Sequence, residues 1–568
     1  MRFLRDWFGR ARTATSPPDL GDLRRHNATR HLSAAAYLDV AYCDRIMREI
    51  YAQRRRWAAP SYGFDLITVL RNVRRAWWLS TGQALLLVAI MAGAAYFVLA
   101  AAILATAVLL IWSLVRVRVR ISADFWLSLA RPNPPEFYQQ LDLRRRWTNR
   151  AIWFAIAMET AIYLYVVALH DDSTSTTRFV TDLLRTGLLL ALLALTVMLS
   201  AVARSWFLAH LRRTTPGGMP SGRLAKLDAE QHHEVTVYSG PMPFIGSGLR
   251  LATWSFAQRL VEVPDPLDAI GRNLAQTAQP NGGGAGPEEP EVDREFKQAP
   301  FRTIDLVHDL EERLRGLRDE RDPELRLPGL RVRHRVFVPG TESEWIPAHD
   351  EYGVSRRAIV NPSMPMRHYL ACEVSSWGGE IYTTVYIHVS LQGRSLYVEF
   401  STFVLPPTKE KYHVFDEAGR IGVKHAAIAA IGALWHLPAS IARLPVEVSR
   451  AVRYIGTAVA GHTSSERAQM RGLDIGAKLS ARELGADMRT HDWFQLRDAM
   501  KHWKIIERRM LAAILDFLEG HDVDVTEYRQ RAIAVLDRSV INIGSGSVRV
   551  GAMGDRNIVG VSDSGGVV

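Results

Sequence analysis

The side chains able to do chemistry are few and scattered. Glu159 is the one charged residue in the apolar run Ala151–Leu169. A carboxylate at membrane depth is costly, so its default reading is an ion or proton relay. With no second charge in the run it makes a poor pathway, and a hydroxyl neighbour such as Thr186, Thr196 or Ser200 is the plainer partner. Gly246-Ser247-Gly248 could cradle a phosphate, but no G-x-x-x-x-G-K-[ST] run or complete G-x-G-x-x-G surrounds it, and a turn is the simpler reading. His232-His233-Glu234 joins imidazole to carboxylate, yet adjacent residues on a strand point to opposite faces, which speaks against a shared metal. His388, Tyr382 and Tyr386 fall on one strand face, with Glu373 and Glu399 placed to lie across a sheet. Such a set suits acid–base work, but no nucleophile or second histidine accompanies it, and a solvated sheet face explains it. His425 and His436 belong to an apolar stretch where a ring at the lipid headgroups needs no catalytic role. No catalytic constellation, cofactor site or metal set emerges, and no enzyme activity is expected.

The elements that must position these residues are organised around 76–115, forty residues without Asp, Glu, Lys or Arg. As one helix it would be about 60 Å long, roughly twice a bilayer's hydrocarbon core. Arg74 and Arg75 precede it and Arg116, Arg118 and Arg120 follow it, and basic flanks stay in the cytoplasm. A hairpin of two spans is expected, Trp77–Gly93 and Ala94–Val115. Two more spans follow at 151–169 and 186–203, separated by the polar loop His170–Thr177. Four crossings place both termini and every heavily basic segment on the cytoplasmic side of the plasma membrane.

Residues 1–75 read as a basic, helical cytoplasmic region, and 230–416 as a cytoplasmic α+β domain. In that domain 301–318 is an amphipathic helix, 275–299 a Gly- and Pro-rich loop, and 330–338 a strand. An antiparallel meander occupies 368–375, 380–390 and 395–405, with hairpin turns at Trp377-Gly378-Gly379-Glu380 and Leu391-Gln392-Gly393-Arg394. The apolar stretch 426–444, broken by His436, Pro438 and Arg443, reads as a helix lying against the bilayer or the bundle within 420–460. The segment 464–538 reads as helical and 541–568 as a Gly/Ser/Val-rich tail. In 490–519, Trp493, Leu496, Met500, Trp503, Met510, Ile514 and Phe517 keep a heptad seam, with Glu507 also on it. That seam suits assembly with a second copy or a protein partner, and burial against the domain's own core is the competing reading. The fold class is therefore an α+β membrane protein: a four-helix transmembrane region, a cytoplasmic α+β domain and C-terminal helices.

The net charge of +11 follows in large part from arginines flanking the spans, and no aromatic–basic RNA motif or DNA-reading helix is present, so no nucleic-acid partner is expected. Two cysteines, Cys43 and Cys372, are too few and too far apart for a disulfide framework. Met1–Arg12 alternates arginine with aromatics and has no signal-peptide core. Several pieces form a set: Ala35-Ala-Tyr-Leu-Asp39, Ala58-Ala-Pro-Ser-Tyr-Gly-Phe-Asp65, Val237-Tyr-Ser-Gly240 with Pro243-Phe-Ile-Gly-Ser-Gly248, Trp254-Ser-Phe256, Arg367-His-Tyr-Leu370, Ser376-Trp-Gly-Gly-Glu380 and Leu405-Pro-Pro407. Together they resemble a group of uncharacterised actinobacterial integral membrane proteins, over roughly residues 30–416. That resemblance implies the membrane setting and carries no functional residue with it. The tail pieces Ile541-Asn-Ile-Gly and Gly554-Asp-Arg-Asn-Ile are similar to tails in bacterial conflict systems. The expected function is a membrane-anchored interaction or regulatory module. A small transporter using Glu159 and a membrane-active defence effector are the alternatives.

Overall fold

The computed structural model describes residues 27–129, 175–211, 220–264, 294–342, 351–414, 423–460, 465–488 and 493–538, with scattered positions of 150–161. Glu159 lies outside the described residues, as do the arm before residue 27, residues 275–293 of the Gly- and Pro-rich loop, and the tail from 541. The expected span 151–169 is described only at scattered positions.

The fold is α+β. Among the described residues three helices, not four, are long and apolar enough to cross a membrane: Leu66–Phe97, Leu99–Val119 and Val180–Leu211. They belong to helices α2 (Leu66–Phe97), α3 (Leu99–Leu129) and α4 (Ser175–Leu211), preceded by α1 (Asn27–Leu38). The hairpin does not turn at Gly93. Helix α2 runs on to Phe97, and Val98 leaves helical geometry at φ −146° and ψ 65°. Open space surrounds the position a Cβ would take at Gly93, so nothing there forces the chain to turn. Ala84, Leu87, Ala105 and Leu109 share one buried cluster, as antiparallel helices about Val98 require. Tyr96 and Phe97 stand exposed at the apex. The apolar helix Ala426–Trp435 is too short to span. It begins a packed run, α5 (Val423–Trp435), the short helix Leu437–Ala442 and α6 (Leu444–Ala460), whose Leu437 and Leu444 join Leu87, Leu189 and Leu193 among the spans.

Beyond these helices stands a six-stranded mixed sheet of order β1-β3-β4-β5-β6-β2, with β1 Val235–Tyr238, β2 Leu249–Arg259, β3 Leu330–Pro339, β4 Arg367–Ser376, β5 Ile381–Gln392 and β6 Ser395–Leu405. The meander β4–β5–β6 is antiparallel, β3 adds antiparallel to β4, and only β1 pairs in parallel, with β3. One face is covered by the helices Thr303–Gly316 and α7 (Trp493–Glu519). Leu306, Leu310 and Leu314 are fully buried there, each contributing about 1.5–3 kcal/mol.

The heptad stripe is turned into this core. Met500, Trp503, Met510, Ile514 and Phe517 are buried on the sheet, Leu496 is partly buried, and Trp493 alone is exposed. Glu507, at 0% exposure, accepts hydrogen bonds from Trp254 Nε1 (2.8 Å) and Lys504 Nζ (3.0 Å), so the chain itself supplies what an oligomeric partner was expected to provide. Within the segment read as helical over 464–538, the described residues before α7 are helical in Ser465–Met470 and Ala481–Gly485, while Ala477 between them bridges to Tyr238 at the end of β1.

Both thiols are buried. Burial, with Asp44 adding to it, pushes Cys43 up to about 12, and burial raises Cys372 as well. A thiol must ionise to attack, so maleimide at neutral pH is expected to label neither cysteine in native protein and both after denaturation. Rapid labelling of the native chain would contradict this packing.

Candidate functional site

The second face of the sheet carries the polar chemistry. Alternation along Leu330-Arg-Val-Arg-His-Arg places Arg331, Arg333 and Arg335 on one side of β3. The facing positions on β4 and β5 are Glu373, Tyr382 and Tyr386. This face was expected to be solvated; instead it is covered. Tyr382, Tyr386 and His388 are all buried, and the segment before α2 lies across the two tyrosines. Tyr62 donates to or accepts from the Tyr386 hydroxyl at 2.7 Å, and Ser247 joins the same hydroxyl at 2.7 Å. Phe244 packs on Phe337, Tyr369, Tyr386 and Phe403. Gly63, at φ +70°, lets the backbone pass over Tyr382, whose ring would lie 3.1 Å from a Cβ there.

Where this cover ends, a cavity of about 800 Å³ opens. Its walls come from Ser61, Gly63 and Asp65 before α2, from Gln231 and His232, from Arg318, Arg331, Arg333 and Arg335, and from Gly378 and Gly379 of the β4–β5 turn. Arg335 is 4% exposed. Its Nη1 donates to the His233 carbonyl (2.8 Å), its Nη2 to Glu373 (3.5 Å), and its Nε has no partner. Glu373 accepts from Tyr382 at 2.7 Å. Burial, then Glu373, hold Tyr382 well above its ordinary value, so it remains a neutral donor. Among the described residues Arg318, Arg331 and Arg333 have no carboxylate within 4.0 Å, and all three are exposed. Of the two acids lining the cavity, Glu373 is held by Tyr382 and Arg335. Asp65 is the N-cap of α2, accepting from Ile67 N at 3.0 Å and Thr68 N at 3.3 Å. The cavity therefore offers uncommitted positive charge and one buried unsatisfied donor, an arrangement suited to an anion.

The other candidates separate. Glu373 serves Tyr382 and Arg335, Glu399 accepts from Tyr369 (3.1 Å), and His388 contacts the His368 carbonyl (2.7 Å), so no acid–base group forms on β5. The amides of Gly246 and Gly248 do converge on a carboxylate, but it is Glu483 of this chain, at 2.9 Å from each. Burial raises Glu483 and the two amides pull it back. His232 turns to the Asp228 carbonyl, and His233 accepts from Val235 N, so they share no ligand position. His436 meets Arg116. The arginines were missed although their i, i+2 spacing on a strand was a legible signal.

Residues 253–549 match the family model of the AbeC-like domain. This chain belongs to the AbeC-like domain family. The AbeC-like region opens inside β2, so it holds Arg318 through Tyr382 of the cavity, while Ser61, Asp65, Gln231 and His232 come from chain before it. No curated protein and no solved structure matches the chain.

Proposed function

We propose that this AbeC-like protein is a multi-pass plasma-membrane protein, of the actinobacterial kind its motifs resemble, acting as a regulatory module that binds a phosphate-bearing anion in the basic cavity. The observation that carries this is Arg335, buried with an unpartnered Nε beside a cavity lined by three further arginines and walled by the N-cap of a membrane helix. A ligand there meets both the sheet and the segment that ends in Asp65, the N-cap of α2, which gives it a lever on the membrane region. The basic flanks support a cytoplasmic placement for the sheet and both termini.

The experiment uses full-length protein in detergent, melted with pyrophosphate and with sodium chloride at equal ionic strength. At about 100 times its dissociation constant the anion adds about 2.7 kcal/mol of stability. The exposed double change Arg331→Glu and Arg333→Glu is expected to abolish that gain while leaving the unliganded melting temperature nearly unchanged. Equal melting with pyrophosphate and chloride rejects the cavity as a phosphate site. Ion flux in liposomes that fails with Glu159→Gln would favour a transporter, and growth arrest on induced expression a membrane-active effector.

A further inference from the structure

We propose that His31, Glu380 and His413 form a site for one divalent first-row transition-metal ion, zinc(II) foremost, that clamps the membrane-side helices to the sheet. One ligand atom from each of the three lies within 4.8 Å of the other two. His31 Nδ1 is 2.8 Å from Glu380 Oε1 and 3.1 Å from Thr408 Oγ1, and His413 Nε2 is 2.8 Å from the same hydroxyl. The two imidazole rings stack at 3.9 Å between centroids. Glu380 Oε1 is buried against His31, which with the charge of Arg482 and Thr408 N outweighs burial and holds its carboxyl down at about 2, so it stays an ionised ligand.

Two imidazoles and a carboxylate are a nitrogen–oxygen set that zinc accepts at about 2.0–2.2 Å, with a hydroxyl or water as fourth ligand. An outer layer holds the carboxylate in place: Thr408 N donates to Oε2 at 3.2 Å and Arg482 Nη2 to the Glu380 carbonyl at 2.6 Å. Arg482 is buried, its Nη2 donates to the Glu380 main-chain carbonyl, and its charge acts on the Glu380 carboxylate, so it competes with a cation there. His413 is half-buried, which leaves the ion a way in.

The placement gives the site its consequence. His31 sits on α1, which is buried against the head of α2 through Leu32, Ala35 and the Tyr37–Asn72 hydrogen bond. Glu380 closes the β4–β5 turn, and Thr408 and His413 follow Pro406-Pro407 beyond β6. An ion here ties segments about 350 residues apart and holds α1, and through it α2, on the sheet. The competing arrangement is a metal-free His31–Glu380 ion pair. The site shares no side chain with the basic cavity, so each stands or falls alone.

The test uses untagged full-length protein in detergent, stripped with EDTA and then dialysed against cobalt(II) or zinc(II). The proposal expects close to one ion retained per chain, d–d absorption bands from cobalt(II), and a higher melting temperature with zinc(II). His413→Gln, at the more exposed ligand, and Glu380→Gln are each expected to weaken binding by at least about tenfold, as loss of even outer-sphere partners does, and to remove the bands. Glu483→Gln, half-buried next to Arg482 but not a ligand, is expected to keep them. No retained ion, or retention and bands unchanged in His413→Gln, overturns the site and leaves the ion pair.

Discussion

The double change Trp503→Ala and Met510→Ala is expected to unfold the sheet and its covering helices rather than release monomers from an oligomer. Trp503 is 1% exposed and Met510 0%, both in the core between α7 and the sheet. Truncating a buried tryptophan costs about 3–5 kcal/mol and a buried methionine about 2–5, so the pair removes about 5–10 kcal/mol, less any shared cavity term. That rivals the whole stability of an ordinary domain, about 5–15 kcal/mol. Light scattering in detergent together with circular dichroism separates the outcomes. Loss of cooperative melting at unchanged or aggregated mass is expected. A well-folded species of reduced mass would mean that the stripe is an intermolecular seam. Trp493→Ala, at the exposed end of the stripe, is expected to be nearly silent in stability.

Gly248→Ala is the second large effect. Gly248 adopts φ +89°, where an L side chain is strained, and a Cβ there would overlap the Val404 carbonyl and lie 2.8 Å from Leu405 Cα. Both obstacles are backbone of a paired strand, so neither can rotate away. Strain of about 1–3 kcal/mol from the dihedral and about 1–3 from overpacking are expected to combine. The same shift pulls the Gly246 and Gly248 amides from Glu483, leaving a buried carboxylate poorly served. A melting temperature within a degree of the parent chain would show that β2 and β6 are not packed as described.

Much of the fold was legible because period and length are local signals. Alternation in Ile381-Tyr-Thr-Thr-Val-Tyr-Ile-His-Val located β5, and the spacing of Leu306, Leu310 and Leu314 located its covering helix. What alternation could not say is whether the second face meets water. Tyr382, Tyr386 and His388 read as a wetted face because polar tips usually are, yet Tyr62 and Phe244, from segments outside the meander, cover it. The heptad stripe shows the same limit: spacing defines an apolar face but not which surface it meets. The hairpin break moved from Gly93 to Val98 because a glycine in an apolar helix permits a turn without requiring one. The candidate metal set was hidden by distance along the chain. His31, Glu380 and His413 have no spacing motif, and only the docking of α1 on the β4–β5 turn unites them. The pieces 58–65, 243–248 and 376–380 were recognised as a set without a reason. In the fold they meet, as Tyr62, Gly63, Ser247 and Gly379 around Tyr382 and Tyr386.

Hydrogen–deuterium exchange on the full-length protein, with pyrophosphate and with chloride at matched ionic strength, tests the central claim most directly, because it reports on the cavity and the membrane helix together. The account predicts slower exchange at 61–70, across Asp65 and the first turn of α2, and at 329–335 on β3, with β2 unchanged. Unchanged exchange at 61–70 when pyrophosphate is bound would contradict it, for the ligand would then have no grip on the long apolar helix α2.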